Sequence, residues 1–176
     1  MAPQPEVRPF RSDEAQALAA LRAEALEAHP LAFCSAVGED RLEDLAFVRE
    51  ALADVDNRVT FGAFVDGEPV GMAGLMRGSR AKLRHKAGIW GMYVRPSARG
   101  LGLGRRLLDA AIDRARTWPE AEVVTLSVTE AAAEAQRLYE RAGFVLWGRE
   151  PASVQWQGRV VDELHMRLPL RGPAEG

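Results

Sequence analysis

The segment from Val94 to Arg106 contains residue types that bind anions. Three of its glycines alternate along the chain, at Gly100, Gly102 and Gly104, and glycine allows a tight backbone turn and a close approach to a ligand. Hydrophobic residues at helical spacing follow, which predicts a helix whose N-terminal N–H groups carry partial positive charge. The segment also carries the arginines Arg95, Arg99, Arg105 and Arg106. We therefore expect an anion site suited to phosphate.

Two common nucleotide-binding motifs do not match this segment. A Walker-type loop requires a lysine that is absent here, and a dinucleotide fingerprint counted from Gly100 requires glycine where Arg105 stands. What remains is the pattern Arg-x-x-Gly-x-Gly, formed by Arg99, Gly102 and Gly104. Composition alone leaves open a glycine-rich turn with solvated arginines as the alternative to a phosphate site.

A second block follows after a predicted helix and strand. It comprises the stretch from Ala135 to Tyr139 and the pair Gly143-Phe144. In this order, the two blocks together resemble the GNAT superfamily of acyl-CoA-dependent N-acyltransferases. The resemblance implies one N-acetyltransferase domain over residues 5–170, with flexible termini at 1–4 and 171–176. It also implies an α/β fold with a mixed central sheet of about six to seven strands, a wedge opening between strands four and five, and about four flanking helices.

The resemblance implies acetyl-CoA as the cosubstrate and no metal. In the family, the glycine-rich loop holds the pyrophosphate of coenzyme A, and the fourth strand offers free backbone groups to the pantetheine and the acyl carbonyl. The residues that match these roles are Met92, Tyr93, Val94, Arg99, Gly100, Leu101, Gly102, Leu103, Gly104 and Arg105. Gly91 is the expected position of a bulge that opens the wedge. Trp90 shares a face with Met92 and Val94 by the strand's period of two, so it either walls the acyl pocket or belongs to the core.

Acyl transfer from a thioester to an amine requires a proton for the departing thiolate. Tyr139 is the predicted general acid, because a phenol keeps its proton at neutral pH and can give it to a thiolate. The alternative is a core tyrosine whose hydroxyl is bonded to the backbone. Glu130 is a possible base, and His85 is another titrating group, although a helix-dipole role is favoured for Glu130 and a solvated position for His85. A water chain leading to a distant carboxylate, or an amine that arrives already deprotonated, is equally open. We assign His29, His165 and Cys34 no role.

One departure from the family pattern concerns the start of the helix predicted over 130–142. GNAT proteins often carry asparagine near this point, where Ala132 stands here. This difference bears on side-chain contact with the pantetheine arm and not on the pyrophosphate site.

Alternating periods predict the elements that must position these residues. Strands are expected at 5–10, 59–65, 69–76, 87–95 and 122–128 and around the Gln157-Gly158 turn, and helices after Ser12 as N-cap and at 39–54, 102–117 and 130–142. The strand at 87–95, the helix at 102–117 and the strand at 122–128 predict a right-handed parallel crossover.

Composition and charge narrow the class of protein. The chain has 176 residues, a formal net charge of −2 and one cysteine, which indicates a single domain that needs no disulfide. No apolar stretch approaches membrane-spanning length and no secretory signal is evident, so we expect a cytoplasmic protein with neither a membrane nor a nucleic-acid partner. Residues 12–56 are strongly acidic and residues 77–86 strongly basic. The acidic part would favour a cationic amine if it borders an acceptor cleft.

The expected function is transfer of an acetyl group from acetyl-CoA to a primary amine of a small molecule or peptide, by direct attack in a ternary complex. The alternative is a coenzyme A-binding sensor or interaction protein of the same fold that has lost transfer. A third hypothesis takes the basic residues in 77–106 as a nucleic-acid contact, but no recognisable nucleic-acid module supports it. A homodimer is expected from the resemblance.

Overall fold

The fold is an α/β layered structure, seen in a computed structural model that describes residues 5–171. One seven-stranded sheet has the order β1-β2-β3-β4-β5-β7-β6. Its strands are β1 Pro5–Pro9, β2 Arg58–Val65, β3 Glu68–Arg77, β4 Lys86–Val94, β5 Val123–Thr129, β6 Val145–Trp156 and β7 Arg159–Pro169. The α-helices are α1 Ala15–Ala28, α2 Leu45–Ala53, α3 Leu103–Arg116 and α4 Ala133–Arg141. The predicted mixed sheet with four helices is confirmed, while the expectation for residues 1–4 and 172–176 lies outside the described residues.

The centre of the sheet is the predicted crossover from β4 through α3 to β5. β4 and β5 are parallel, and all other neighbouring strands are antiparallel. The apolar stripe of α3 is buried from Leu103 to Ala115, because its apolar residues recur at helical spacing and cover the sheet. The crossover places the end of β4 directly before the N-terminus of α3.

The helices cover opposite faces of the sheet. One buried cluster joins α3 and Tyr139 of α4 to inward residues of β4, β5 and β7, among them Leu126, Val128 and Met166. A second cluster joins α1 and α2 to residues of β2, β3 and β4, such as Met72 and Tyr93. The two faces of β5 are therefore distinct: Leu126 and Val128 face α3 and α4, and the residues between them face the opposite side.

A buried ion pair fixes the connection after α1. Arg22 of α1 donates from Nη2 to Asp40 Oδ2 at 2.8 Å, and both side chains are buried. Burial acts to raise the pKa of the Asp40 carboxyl, but hydrogen bonds from Arg22 and from Leu42 N–H outweigh it and hold that pKa below its ordinary value. The segment that leads from α1 to α2 is thereby held against α1.

Two predicted helix starts are wrong. Ser12 does not cap α1: it begins a short 3-10 turn, Ser12–Glu14, with Arg11 at the N-cap, and Glu14 accepts from Arg11 N–H. The second helix begins at Leu45 and not near 39, because the Asp44 carboxylate accepts from the N–H groups of Ala46 and Phe47 and ends the preceding 3-10 turn. None of the described helices has the length and apolar character that a membrane crossing requires.

Candidate functional site

A gap opens between the two central parallel strands. β4 and β5 pair only at their first residues, the last pair being Gly88 with Thr125. Beyond this point β4 continues to pair with β3 as far as Val94, and β5 continues to pair with β7 as far as Thr129. The edges of β4 and β5 that face each other are therefore unpaired over the second half of each strand. This is the predicted wedge, and unpaired strand edges offer backbone donors and acceptors to a ligand.

A bulge in β4 lies where the sequence predicts it. Trp90 pairs with Gly74 and Tyr93 with Met72, so two residues of β4 stand opposite one residue of β3. One of these two is Gly91, whose φ of +65° favours glycine. The bulge bends β4 away from its partner strand and contributes to the opening of the gap.

The bulge also changes which side chains share a face of β4. Trp90 packs with the cluster under α1 and α2, whereas Met92 and Val94 pack with the cluster under α3. The expectation that these three share a face is therefore wrong, because the extra residue shifts the alternation. Trp90 belongs to the core beneath α1, and its indole packs so closely on Gly74 that a Cβ at that position would clash with the ring.

Successive residues of β4 direct their backbone N–H and C=O groups alternately toward β3 and toward the gap. Arg95 N–H donates to Val70 O on β3 at 2.8 Å, so the groups of Val94 point toward the gap. The Val94 carbonyl oxygen lies 3.4 Å from Arg99 Nε. Tyr93 differs from the other predicted residues, since its ring is buried beneath α1 and its hydroxyl donates to Glu24 at 2.9 Å. Burial and the contact with Glu24 raise the pKa of Tyr93 to about 12.

A row of free backbone N–H groups follows β4. Within the described part of the chain, none of the N–H groups from Gly100 to Arg105 has a protein hydrogen-bond partner, and the first that does is Arg106 N–H, which donates to Gly102 O. Gly100 and Gly102 have φ of +83° and +70°, and nothing lies within 4 Å of a Cβ placed on either. The loop therefore presents N–H groups, a helix N-terminus and open space together, which is the arrangement that binds phosphate.

The predicted arginines divide between this loop and other contacts. Arg99 contacts the end of β4 through the Val94 carbonyl oxygen, and its Nη2 lies 3.2 Å from His29 Nε2. Arg105 pairs with Asp109 at 2.9 Å, so its backbone N–H and not its guanidinium faces the loop. Arg95 pairs with Glu24 at 2.7 Å, a hydrogen bond that lowers the pKa of Glu24. The four positive charges seen in the sequence are thus partly neutralised in the fold.

Tyr139 lies on α4, in the cluster beneath α3 and α4. Its side chain is buried and its ring centroid is 6.0 Å from that of Phe144. Burial is the cause of a raised pKa for the Tyr139 hydroxyl, and no hydrogen bond to a described residue contributes to it. The structure shows the core packing of the alternative interpretation, without a hydrogen bond from the hydroxyl to the backbone of a described residue.

The two possible bases named from the sequence lie away from the gap. Glu130, between β5 and α4, accepts from Asp162 N–H at 3.1 Å and from Arg149 Nη2 at 2.9 Å. Since β7 and β6 lie on the far side of β5 from β4, these contacts hold the carboxylate away from the gap. His85 precedes β4 at its paired end, roughly 20 Å along the strand from Met92 at about 3.3 Å per residue.

A polar cluster that the sequence did not reveal lies on β5, β6 and β7. His165 Nδ1 is 2.8 Å from Ser127 Oγ, and His165 Nε2 is 3.3 Å from Glu150 Oε2. The register that pairs Ser127 with His165 on adjacent strands creates the first contact. No local spacing signals this cluster, because its members are far apart in sequence and only the sheet order brings them together.

An open pocket lies between the segment after α1 and the β6–β7 hairpin. Its volume is about 530 Å³. Its lining residues are Leu26, Glu27, Pro30, Phe33, Cys34, Ser35, Ala36, Val37, Glu39, Val154, Gln155, Trp156 and Gln157. The wall residue Cys34 places its Sγ 3.8 Å from Glu163 Oε1 on β7, so the pocket borders the sheet face that carries His165.

The acidic side chains of residues 12–56 are largely engaged within the protein. Asp40 and Glu24 pair with arginines, Asp44 caps α2, and Glu39 and Glu43 accept from backbone N–H groups. These carboxylates therefore stabilise the local structure of this region in addition to contributing to its surface charge.

Comparison with known proteins gives a consistent result. The model of the acetyltransferase (GNAT) family matches residues 18–144. The chain is 38% identical over 79 residues to the L-methionine sulfoximine/L-methionine sulfone acetyltransferase of Pseudomonas aeruginosa, and 34% identical over 79 residues to the protein of the same name from Salmonella typhimurium. The first alignment covers 45% of this chain and 45% of the Pseudomonas protein. The chain thus spans less than half the length of the curated relatives it matches.

Solved structures match over nearly the whole chain. The structure of yncA from Salmonella typhimurium, solved with its cofactor acetyl-CoA, has a TM-score of 0.83 at 25% identity and covers 98% of each chain. The ribosomal-protein-alanine N-acetyltransferase of Brucella melitensis has a TM-score of 0.79 at 27% identity, over 93% of this chain and 99% of that one.

Proposed function

This chain belongs to the acetyltransferase (GNAT) family, and from that premise we propose that it transfers an acetyl group from acetyl-CoA to a primary amine of a small molecule or peptide. Transfer takes place by direct attack of the amine on the thioester in a ternary complex. The observation that carries the proposal is the gap between β4 and β5, which leads directly into the row of free N–H groups at Gly100 to Arg105.

The free N–H row fits the pyrophosphate of coenzyme A. Its donors converge at the N-terminus of α3, where the helix dipole adds positive charge. Arg99 lies beside the row and contacts the Val94 carbonyl oxygen weakly at 3.4 Å, so it is available to a phosphate. The pantetheine arm then follows the unpaired edge of β4, where the backbone groups of Val94 face the gap and Met92 lies one step earlier along the strand.

The chemistry needs a neutral amine, a polarised thioester carbonyl and a proton for the leaving thiolate. Backbone donors along the gap can polarise the carbonyl. Tyr139 is the proposed general acid, since its buried hydroxyl holds its proton at neutral pH and is not committed to a partner among the described residues. Ala132 stands at the N-cap of α4 without a side-chain hydrogen bond. At this position only the backbone can form a hydrogen bond to the pantetheine arm.

We propose a small molecule as the acceptor. The Pseudomonas and Salmonella relatives are named for L-methionine sulfoximine and L-methionine sulfone, which supports an amine of that size. The pocket of about 530 Å³ beside Cys34 and Gln155 has room for such a molecule. The acidic segment gives weaker support for a cationic amine than its sequence alone, because many of its carboxylates have partners within the protein.

The assembly and location of the protein are also proposals. The edge strand β6 exposes Val145, Leu146 and Trp147, which supports a homodimer, since exposed apolar groups favour association. The chain has a single cysteine, Cys34, which fits a reducing cytoplasm.

Binding of acetyl-CoA tests the site before any acceptor is known. A ligand that binds the native state at a hundred times its Kd raises the free energy of unfolding by about 2.7 kcal/mol, which corresponds to a Tm increase of roughly 5–10 °C for a chain of this size. We expect that shift in thermal denaturation with acetyl-CoA at about 1 mM, and a much smaller one with ATP at the same concentration. An unchanged Tm with acetyl-CoA would contradict both the transferase and the coenzyme A-binding sensor.

A further inference from the structure

The side chains of Ser127, His165 and Glu150 form a continuous polar line across three neighbouring strands. Ser127 Oγ lies 2.8 Å from His165 Nδ1, and His165 Nε2 lies 3.3 Å from Glu150 Oε2. A carboxylate can only accept a hydrogen bond, so Glu150 favours the imidazole tautomer with its proton on Nε2. Nδ1 is then the acceptor for the Ser127 hydroxyl, and the imidazole is able to take up a proton from that side.

The line begins at the rim of the gap between β4 and β5. The last pair of these strands is Gly88 with Thr125, and Ser127 lies two residues further along β5, on the same face as Thr125. Leu126 and Val128 point to the opposite face, toward α3 and α4. Ser127 is exposed. Its hydroxyl is thus open to a molecule that enters the gap from the face opposite Tyr139.

Charged, titratable and aromatic side chains surround His165. Glu150 and Trp147 approach from β6, and the ring centroids of Trp147 and His165 are 5.5 Å apart. On β7, Glu163 and Arg167 share the face of His165 by strand alternation. Cys34, from the segment after α1, contacts Glu163.

We propose, on the basis of the transferase function above, that His165 is the proton acceptor for the incoming amine and is reached through the hydroxyl of Ser127. The amine arrives as an ammonium group, which cannot attack a thioester. It gives one proton to Ser127 Oγ while the Ser127 proton passes to His165 Nδ1. The imidazolium that results lies beside Glu150, and its partly exposed position allows the proton to leave to solvent.

The remaining steps balance the protons. The freed lone pair on nitrogen attacks the carbonyl carbon, and the carbon–sulfur bond breaks with its electron pair on sulfur. The thiolate takes a proton from Tyr139, and the second proton lost by the nitrogen restores Tyr139. The net products are the amide, coenzyme A thiol and one proton released from His165.

The pH dependence of transfer tests this assignment, with L-methionine sulfoximine as the amine probe. For the wild-type protein, kcat/KM should fall as the pH is lowered, because a protonated imidazole cannot accept the proton of the amine. His165→Gln should lower kcat/KM about 30-fold at pH 7 and recover to within about 3-fold of wild type at pH 9.5, where the amine loses its proton without help. Ser127→Ala should show the same pattern with a smaller loss at pH 7.

Two further variants separate a proton-transfer role from a structural one. His85→Gln replaces a histidine at the closed end of β4 and should leave the profile unchanged, whereas Glu150→Gln should weaken transfer at pH 7 more than at pH 9.5.

A loss of equal size at pH 7 and pH 9.5 in His165→Gln, or no loss at either, would overturn the assignment. If that variant does not fold, the same comparison of kcat/KM at pH 7 and pH 9.5 in Ser127→Ala and Glu150→Gln tests the assignment. Absence of transfer by the wild-type protein to any primary amine, despite a Tm shift with acetyl-CoA, would instead overturn the proposed function and this inference with it.

Discussion

The Tyr139→Phe variant is expected to lower kcat by about 10²-fold or more, with little change in the Kd of acetyl-CoA. The phenol is the proposed source of the proton for the thiolate, a group formed only as the carbon–sulfur bond breaks. Removing the hydroxyl therefore weakens an interaction of the transition state and not of the bound substrate. Steady-state kinetics and calorimetric titration with acetyl-CoA measure the two effects separately.

The stability of the same variant is an internal control. The Tyr139 hydroxyl has no hydrogen-bond partner among the described residues, and phenylalanine keeps the ring that packs near Phe144. Its Tm should therefore equal or slightly exceed that of the wild type, because no hydrogen bond is broken. An unaltered kcat would remove Tyr139 from the mechanism, and a large fall in Tm would indicate a structural role that explains lost activity.

Replacing Gly102 by valine is expected to weaken acetyl-CoA binding by about 10²-fold. Gly102 has φ of +70°, a conformation that costs an L residue roughly 1–2 kcal/mol and more when it is β-branched. The side chain would also occupy the open space in front of the free N–H groups of Leu103 and Gly104. The phosphate site therefore loses both its backbone geometry and its access.

Gly67→Val provides the matched control for this prediction. Gly67, in the turn between β2 and β3, has φ of +85°, and nothing lies within 4 Å of a Cβ placed there. Both variants bear a similar backbone strain, but only the one at Gly102 stands in the proposed phosphate site. Calorimetric titration should show weak binding for Gly102→Val and nearly wild-type binding for Gly67→Val. Equal affinities would mean that the phosphate site lies elsewhere.

Local patterns were sufficient to predict the path from β4 to α3. The change from strand period to helix period after Pro96, the glycines and Gly91 all encode backbone geometry over a few residues. For this reason the crossover, the loop and the bulge could be predicted from the sequence. The same bulge made the side-chain prediction for Trp90 wrong, because one inserted residue reverses the alternation on which that prediction depended.

The polar cluster at His165 could not be predicted in the same way. Ser127, Glu150 and His165 come from three strands, and their contact depends on β7 lying between β5 and β6 with one particular register. Local spacing contains no information on that order. Capping at Ser12 failed for a different, local reason, since Glu14 accepts from Arg11 N–H and Ser12 begins a 3-10 turn instead of the helix.

The paired carboxylates of the acidic segment, residues 12–56, show a third feature that the sequence alone could not predict. A net charge counted along the chain does not show which side chains face each other in the fold. Asp40 meets Arg22 and Glu24 meets Arg95, so the charge available to a ligand differs from the formal sum.

Coupled formation of thiol and acetylated amine is the defining observation for acetyl transfer by this protein. The protein is mixed with acetyl-CoA and L-methionine sulfoximine, thiol release is followed with time, and the N-acetyl product is quantified by mass spectrometry. We predict one acetylated amine for each coenzyme A thiol, and little thiol release when the amine is omitted. Thiol release that is independent of the amine, or binding of acetyl-CoA with no acetylated product from any primary amine, would mean that the protein is not an amine acetyltransferase.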